Sequence, residues 1–366
     1  MGIVDVHFHV FAKDDVKCRL SKRARYRPSG IIAGAMLGIL DEALEDDLRA
    51  IFRPKQNQRR HAALTSAQIR DRLLKEIRGS TQLDGVVLLA LDAIHSRKSG
   101  KRLKTDVVTT NDWVHEIITH CGGEVGGKKL YLGASVHPYR KNWRQEVEKV
   151  DEWGAKLIKW IPSSQRIDPD DSRLDSFYRE LAERKIPLLC HAGPEDAVPD
   201  ESRKWWPPWK GDPWEKYNDP RRLTRALELG VTVILAHCAS PYLPWYALDR
   251  SQKDYVPDVA DMMNQAKRKK WKLYADISAL LLTPTRAEKV KRLFKPPYVE
   301  RLVYGSDFPI PTNDFSAGRL GFRVDGKLAA RARKTKNLLD KDVLSKRAVG
   351  VAEEVLLRTA ELLGIQ

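Results

Sequence analysis

The chain has 366 residues, 42% of them hydrophobic, and a formal net charge of +16. That apolar content excludes an extended disordered chain and suits one large α/β barrel or two ordinary domains. No apolar run approaches the ~20 residues of a membrane-spanning helix, so no membrane partner is expected. The longest, "IIAGAMLGIL" at 31–40, runs straight into "DEALEDD" and reads as a buried or lid helix.

The first element is "IVDVHFHV" (3–10). It starts with no basic leader or cleavage site before it, so no secretory signal is expected. His7 and His9 sit two residues apart in it, hence on one face of a strand, about 7 Å apart along the chain. Such a pair suits one metal ion and equally suits two hydrogen-bonded core histidines. A segment rich in Arg and Lys follows (about 11–80). Then come seven more apolar runs: "GVVLLAL" (85–91), "LYLGASVH" (130–137), "AKLIKWI" (155–161), "IPLLCHA" (186–192), "VTVILAHC" (231–238), "LYADISAL" (273–280) and "RLVYGSDF" (301–308). Continuous apolar runs are expected of parallel strands covered on both faces.

Helical patterns lie between the runs. In "DSRLDSFYRELAERK" (171–185), Leu174, Phe177, Tyr178 and Leu181 share one face, and "DPRRLTRALELG" (219–230) carries start and stop signals. Eight alternating units predict an α/β fold, a (β/α)8 TIM barrel spanning 1–366 as a single domain. Its excess length falls in loop insertions after strands 1 and 5, at about 11–80 and 193–220. Both follow the C-terminal end of a strand, the catalytic face of this architecture. The tail from 340 reads as one amphipathic helix that closes the barrel.

Polar residues recur near the C-terminal ends of these strands: Lys159 on strand 4, His191 on strand 5, His237 on strand 6 and Asp307 on strand 8. In a barrel those ends converge on one mouth with His7 and His9, and this joint placement favours a site over isolated core histidines. Lys156 and Lys159 are three apart and face opposite sides of their strand. His137, in "SVHPY", either lines the pocket or caps a turn before Pro138; the turn is the preferred reading.

"DVHFHV", "PLLCHAG" and "VYGSDFP", in that order, resemble the amidohydrolase superfamily, and within it the amidohydrolase-2 group. That group includes aminocarboxymuconate-semialdehyde decarboxylase, γ-resorcylate decarboxylase and pyrone-dicarboxylate lactonase. The motifs run from residue 7 to residue 307. The resemblance implies that His7, His9, His191 and Asp307 hold a divalent metal, most often zinc, and that His237 contacts the attacking water or the substrate. Imidazoles with one carboxylate suit zinc and leave a position open. The ion lowers the pKa of water toward about 7, and Asp307 would take its proton and pass it to the leaving group. Lys159 would pair with a substrate carboxylate. In binuclear relatives a lysine on strand 4 is carbamylated between two metals, so a second metal remains an alternative to the single zinc.

The implied activity is metal-dependent hydrolysis of an amide, ester or lactone in a small anionic substrate. The first alternative is non-oxidative decarboxylation on the same scaffold, with Arg23, Arg25 and Arg27 as further carboxylate binders. A TatD-type nuclease is the second, although strand 4 lacks the early glutamate of that family. The basic runs are dispersed and no nucleic-acid-binding motif accompanies them, so no nucleic-acid partner is expected. Trp205, Trp206 and Trp209, set among prolines in the second insertion, would cover the mouth and bind substrate or form a homodimer contact. Four cysteines without CxxC spacing fit reduced thiols in a cytoplasmic protein.

Overall fold

In the computed structural model the residues described are 2–10, 18–20, 66–105, 107–195, 215–240, 254–282, 284–309 and 323–365. The barrel strands are β1 (Val4–His9), β2 (Gly85–Leu89), β3 (Lys128–Ala134), β4 (Leu157–Trp160), β5 (Leu188–Cys190), β6 (Val233–Leu235), β7 (Leu273–Asp276) and β8 (Leu302–Val303). Each pairs in parallel with the next in chain order. A parallel bridge between Phe8 and Phe308 closes the ring. His9 N–H donates to Phe308 O at 2.9 Å and Asp307 N–H to His7 O at 2.8 Å across the same seam. The fold is the expected (β/α)8 barrel, and each of the eight apolar runs overlaps one strand.

Alternation along the strands builds two layers of packing. Val4, Val6, Leu157, Leu189, Ile234 and Val303 form an inner hydrocarbon cluster. Their sequence neighbours Ile158, Trp160, Leu188 and Leu235 join the outer cluster with helix residues such as Val147 and Phe177.

In β1 the alternation is interrupted. Asp5 pairs with Val86 and Phe8 with Leu88, so three steps on β1 match two on β2. This is a β-bulge, which adds a residue and reverses the facing of the residues after it. After Val4 and Val6, Phe8 would otherwise turn inward; instead His7 and His9 do. Phe8 packs outside on Phe308, with ring centroids 4.6 Å apart. Asp5 holds the bulge by accepting His7 N–H at 3.0 Å and, across the seam, Ser306 N–H at 2.8 Å and the Ser306 hydroxyl at 2.5 Å. Burial pushes the Asp5 carboxyl up to about 6 despite those bonds.

Two expectations are adjusted. The segment at about 11–80 ends in a helix, Ser66–Gly79, whose Ile69, Leu73, Leu74 and Ile77 are buried; it is the crossover helix between β1 and β2. The candidate helix at 31–40 lies outside the described residues. The tail is two helices, Leu338–Ala348 and Glu353–Leu362, because Gly350 adopts φ 86°, a left-handed conformation that ends the first. Ala360, Leu363 and Ile365 do join the inner cluster. Lys346 is fully buried and donates to Gly305 O at 2.7 Å and Asp342 at 2.6 Å, tying the tail to β8. Among the described residues no helix is long and apolar enough to cross a membrane.

Candidate active site

His7 and His9 reach the barrel mouth through the bulge. Their Nε2 atoms are 3.1 Å apart, and Asp307 Oδ1 lies 3.4 Å from the first and 3.2 Å from the second. Asp307 stands just past β8 with φ 68°. Gly305 makes room for this approach: a Cβ there would lie 2.8 Å from His7 Cβ. Lys159 points inward from β4, is 1% exposed, and places Nζ 3.1 Å from His7 Nε2. It does not extend to solvent.

His237 follows β6, where strict alternation would turn it out of the barrel. The backbone at His237 and Cys238 is left-handed, φ 53° and 52°. The turn brings the imidazole over His7, ring centroids 5.0 Å apart, with Nδ1 3.7 Å from Asp307 Oδ2. His191 also enters the mouth, 5.2 Å from His237 by ring centroids. Its nitrogens are otherwise engaged: Nδ1 faces Glu195 at 3.2 Å and Nε2 faces Pro194 O at 3.3 Å. Among the described residues, one set of three converged donor atoms is that of His7, His9 and Asp307. His191 would join them only by turning its ring away from Glu195. Trp205, Trp206 and Trp209, like Arg23, Arg25 and Arg27, lie outside the described residues.

His137 is not at the mouth. Its Nδ1 accepts Tyr139 N–H at 3.2 Å and its Nε2–H donates to Gln165 O at 2.8 Å, so it caps the turn around Pro138.

The electrostatics favour neutral imidazoles. Burial, then the Lys159 charge, lowers His7 well below the usual histidine range and His191 to about 3. Burial, then Arg286, does the same to His237. Burial also lowers Lys159, against the opposing pull of Asp276 and Asp307. Burial alone would raise Asp307, but His7, His9 and Lys159 outweigh it and hold the carboxyl below its ordinary value. Bare imidazole nitrogens beside an ionised carboxylate are the donor set a divalent ion requires. Donors around a tetrahedral zinc at ~2.0–2.2 Å stand about 3.3–3.6 Å apart. The three separations here fall close to that range, with one side open, so the residues fit a metal.

Sequence reasoning passed over Asp276, Ser278, Glu195 and Arg286. Asp276 Oδ2 lies 2.9 Å from His7 Nδ1, and Ser278 Oγ lies 2.7 Å from His237 Nδ1. The signal was present: "ADIS" sets two polar residues at i, i+2 in an apolar strand, the same pattern as "HFH". Arg286 is 3% exposed and lies close enough to depress both His191 and His237.

The amidohydrolase family model matches residues 105–356, and the chain belongs to that family. Its resemblance is to the amidohydrolase-2 group. Among solved structures it is similar to an uncharacterized TIM-barrel protein from Bordetella bronchiseptica, at 15% identity and TM-score 0.51, covering 100% of both chains. It is also similar to a protein from Pseudomonas putida provisionally described as a 2-pyrone-4,6-dicarboxylic acid hydrolase. There the identity is 13% and the TM-score 0.53, over 100% of this chain and 98% of that one. A dihydroxybenzoic acid decarboxylase from Polaromonas, with bound manganese, matches at 14% identity and TM-score 0.45, over 97% and 99% of the two chains. At these identities the likeness is one of fold. No curated relative matches the chain in sequence.

Proposed function

We propose that the protein is a metal-dependent hydrolase that opens an amide, ester or lactone bond in a small anionic substrate. One zinc ion would be held by His7, His9 and Asp307, with His191 joining after its ring turns. The observation that carries this reading is the convergence of His7 Nε2, His9 Nε2 and Asp307 Oδ1 within 3.1–3.4 Å of one another. When bound, the ion supplies a Lewis acid that polarises a carbonyl and brings the pKa of water toward about 7.

The remaining work falls to the chain. Asp307 turns Oδ1 to the histidines and keeps Oδ2 for the proton of the attacking water, which it then delivers to the leaving group. Neutral His237, stacked on His7, orients that water and shares the base role. Lys159 draws the anionic group of the substrate against the ligand cluster. Trp205, Trp206 and Trp209 are proposed to bind substrate or to form a homodimer contact. The free thiols of Cys121, Cys190 and Cys238 support a cytoplasmic setting.

A second reading, non-oxidative decarboxylation, draws on Arg286. With Lys159 it adds a second buried cation near the histidines, a setting that suits a substrate carboxylate. Elemental analysis comes first and should give one metal per chain. Two metals, with the mass of one CO2 added to Lys159, would replace the mononuclear reading by the binuclear one. A panel of acidic esters, lactones and amides, run beside a CO2-release assay on aromatic and enoic carboxylic acids, then separates the reactions. Metal-dependent hydrolysis without CO2 is expected; CO2 release with no hydrolysis would overturn the hydrolase reading.

A further inference from the structure

Asp276 is the last residue of β7, and its carboxylate is fully buried. Oδ1 accepts His237 N–H at 2.9 Å, Ser278 N–H at 3.0 Å and the Ser278 hydroxyl. Oδ2 faces His7 Nδ1 at 2.9 Å. An ionised carboxylate only accepts hydrogen bonds. The proton of His7 is therefore on Nδ1, which leaves Nε2 bare toward His9, Lys159 and Asp307.

The same logic passes through Ser278. Its hydroxyl proton is committed to Asp276, so its oxygen accepts from His237 Nδ1 at 2.7 Å and also faces His7 Nδ1 at 3.1 Å, sharing the His7 proton with Asp276 Oδ2. His237 Nε2 is then bare as well. His7, His237 and Asp276 also bring donor atoms within 4.8 Å of one another and so resemble a second metal site. The Ser278 hydroxyl between them and the three donors on Oδ1 make the cluster a hydrogen-bonded junction instead.

We propose that Asp276 is a positioning residue: directly for His7, and through Ser278 for His237, it selects the Nδ1–H tautomer and so leaves both Nε2 atoms bare, that of His7 turned to His9, Lys159 and Asp307. The consequence for metal binding rests on the reading of His7 as a ligand; the tautomers themselves do not. Carboxylate partners of ligating histidines act in this way generally.

The test uses Asp276→Asn in the full chain. Three donors hold the amide oxygen at the Oδ1 position, so the amide NH2 faces His7 Nδ1. His7 must then accept there and carry its proton on Nε2, where it can no longer ligate. Nitrogen-15 NMR of histidine-labelled, metal-free protein reads this directly. The wild type should show His7 and His237 neutral with Nδ1 protonated, and the variant should switch His7 alone. Zinc affinity should fall about 10–100-fold. Ser278→Ala should shift the His237 signal and leave His7 protonated on Nδ1, because Asp276 Oδ2 still accepts from it. An Nε2–H His7 in the wild type, or an Asp276→Asn variant that binds zinc like the wild type, would overturn the proposal. If that variant does not fold, the wild-type spectrum decides alone. A wild type that binds no zinc would remove the hydrolase reading and leave the tautomer result standing.

Discussion

Two levels of the barrel interior differ by one step along the same strands. At the first, β1 offers Val4 and Val6, β4 Leu157, β5 Leu189 and β8 Val303. About 7 Å further on, two residues by strand rise, β4 offers Lys159, β5 is followed by His191, and past their irregularities β1 offers His7 and His9 and the β8 end offers Asp307. The first level lowers free energy by removing hydrocarbon from water. The second raises it by burying groups that prefer water, as the lowering of His191 to about 3 records. Hydrogen bonds among the buried polar groups offset part of that cost. Stability and chemistry are thus stacked in separate layers of one scaffold, and a substitution in either should disturb mainly its own property.

The sharpest break is His7→Ala with His9→Ala. Bound metal should vanish and turnover should fall to background, while the melting temperature of the metal-free protein stays near wild type. A full metal complement in that variant would displace these ligands. Asp307→Asn should follow, with turnover down about 10²–10⁴-fold because an amide cannot take the proton of water. Near-normal turnover would exclude Asp307 from proton transfer.

The hydrocarbon level should respond in the opposite way. Leu363→Ala, in the tail that joins the inner cluster, should cost about 2–4 kcal/mol. Urea unfolding measures that loss, and zinc stoichiometry and turnover per folded molecule should not change. Gly305→Ala sits at the junction of the levels, its new methyl 2.8 Å from His7 Cβ. It should move both properties: roughly 1–3 kcal/mol of stability from overpacking, together with weaker zinc binding as His7 is pushed off Asp307. A variant that lost stability alone would show that His7 tolerates displacement.

The layers were legible in the sequence to different depths. Apolar runs reveal all eight strands because parallel strands buried on both faces need little but hydrocarbon. His7, His9, Lys159 and Asp307 were legible by residue type and strand-end position. The route by which His7 and His237 face inward was not, because it depends on a bulge in β1 and left-handed backbone after β6, neither of which alternation encodes. Asp276 and Ser278 escaped although "ADIS" repeats the i, i+2 spacing of "HFH", because a carboxylate and a hydroxyl at that spacing do not by themselves name the histidine they meet. His191 was legible as a residue of the mouth, but its pairing with Glu195 depends on the local turn at Gly193, φ 84°, which alternation does not encode. The break in the tail turned on one glycine, Gly350, within an otherwise continuous helical pattern.

The last expected effect concerns a histidine outside both layers, and it leaves metal binding and turnover untouched. His137 is fully buried, with its N–H on Asp92 and the ring of His95 5.2 Å away. Burial lowers it to about 3, the charges of His95 and Arg140 add to the shift, and the bond to Gln165 O opposes it. In the unfolded chain it titrates near 6.5. As pH falls, the unfolded state takes up the proton first. The contribution of His137 is therefore fully present above about 6.5 and is lost as pH drops toward about 3. Over that window one such group gives a slope of about 1.4 kcal/mol per pH unit. His7, His191 and His237 shift in the same direction, so the wild type should lose stability steeply. In His137→Asn the amide oxygen can still accept Tyr139 N–H, but nothing titrates. Urea midpoints should start lower at pH 7, by about 1 kcal/mol for the lost bond to Gln165. From there to pH 4 they should fall less steeply than wild type, by one proton's worth of slope. Parallel slopes would mean that His137 keeps its ordinary pKa in the folded chain, and that the turn it caps opens to water.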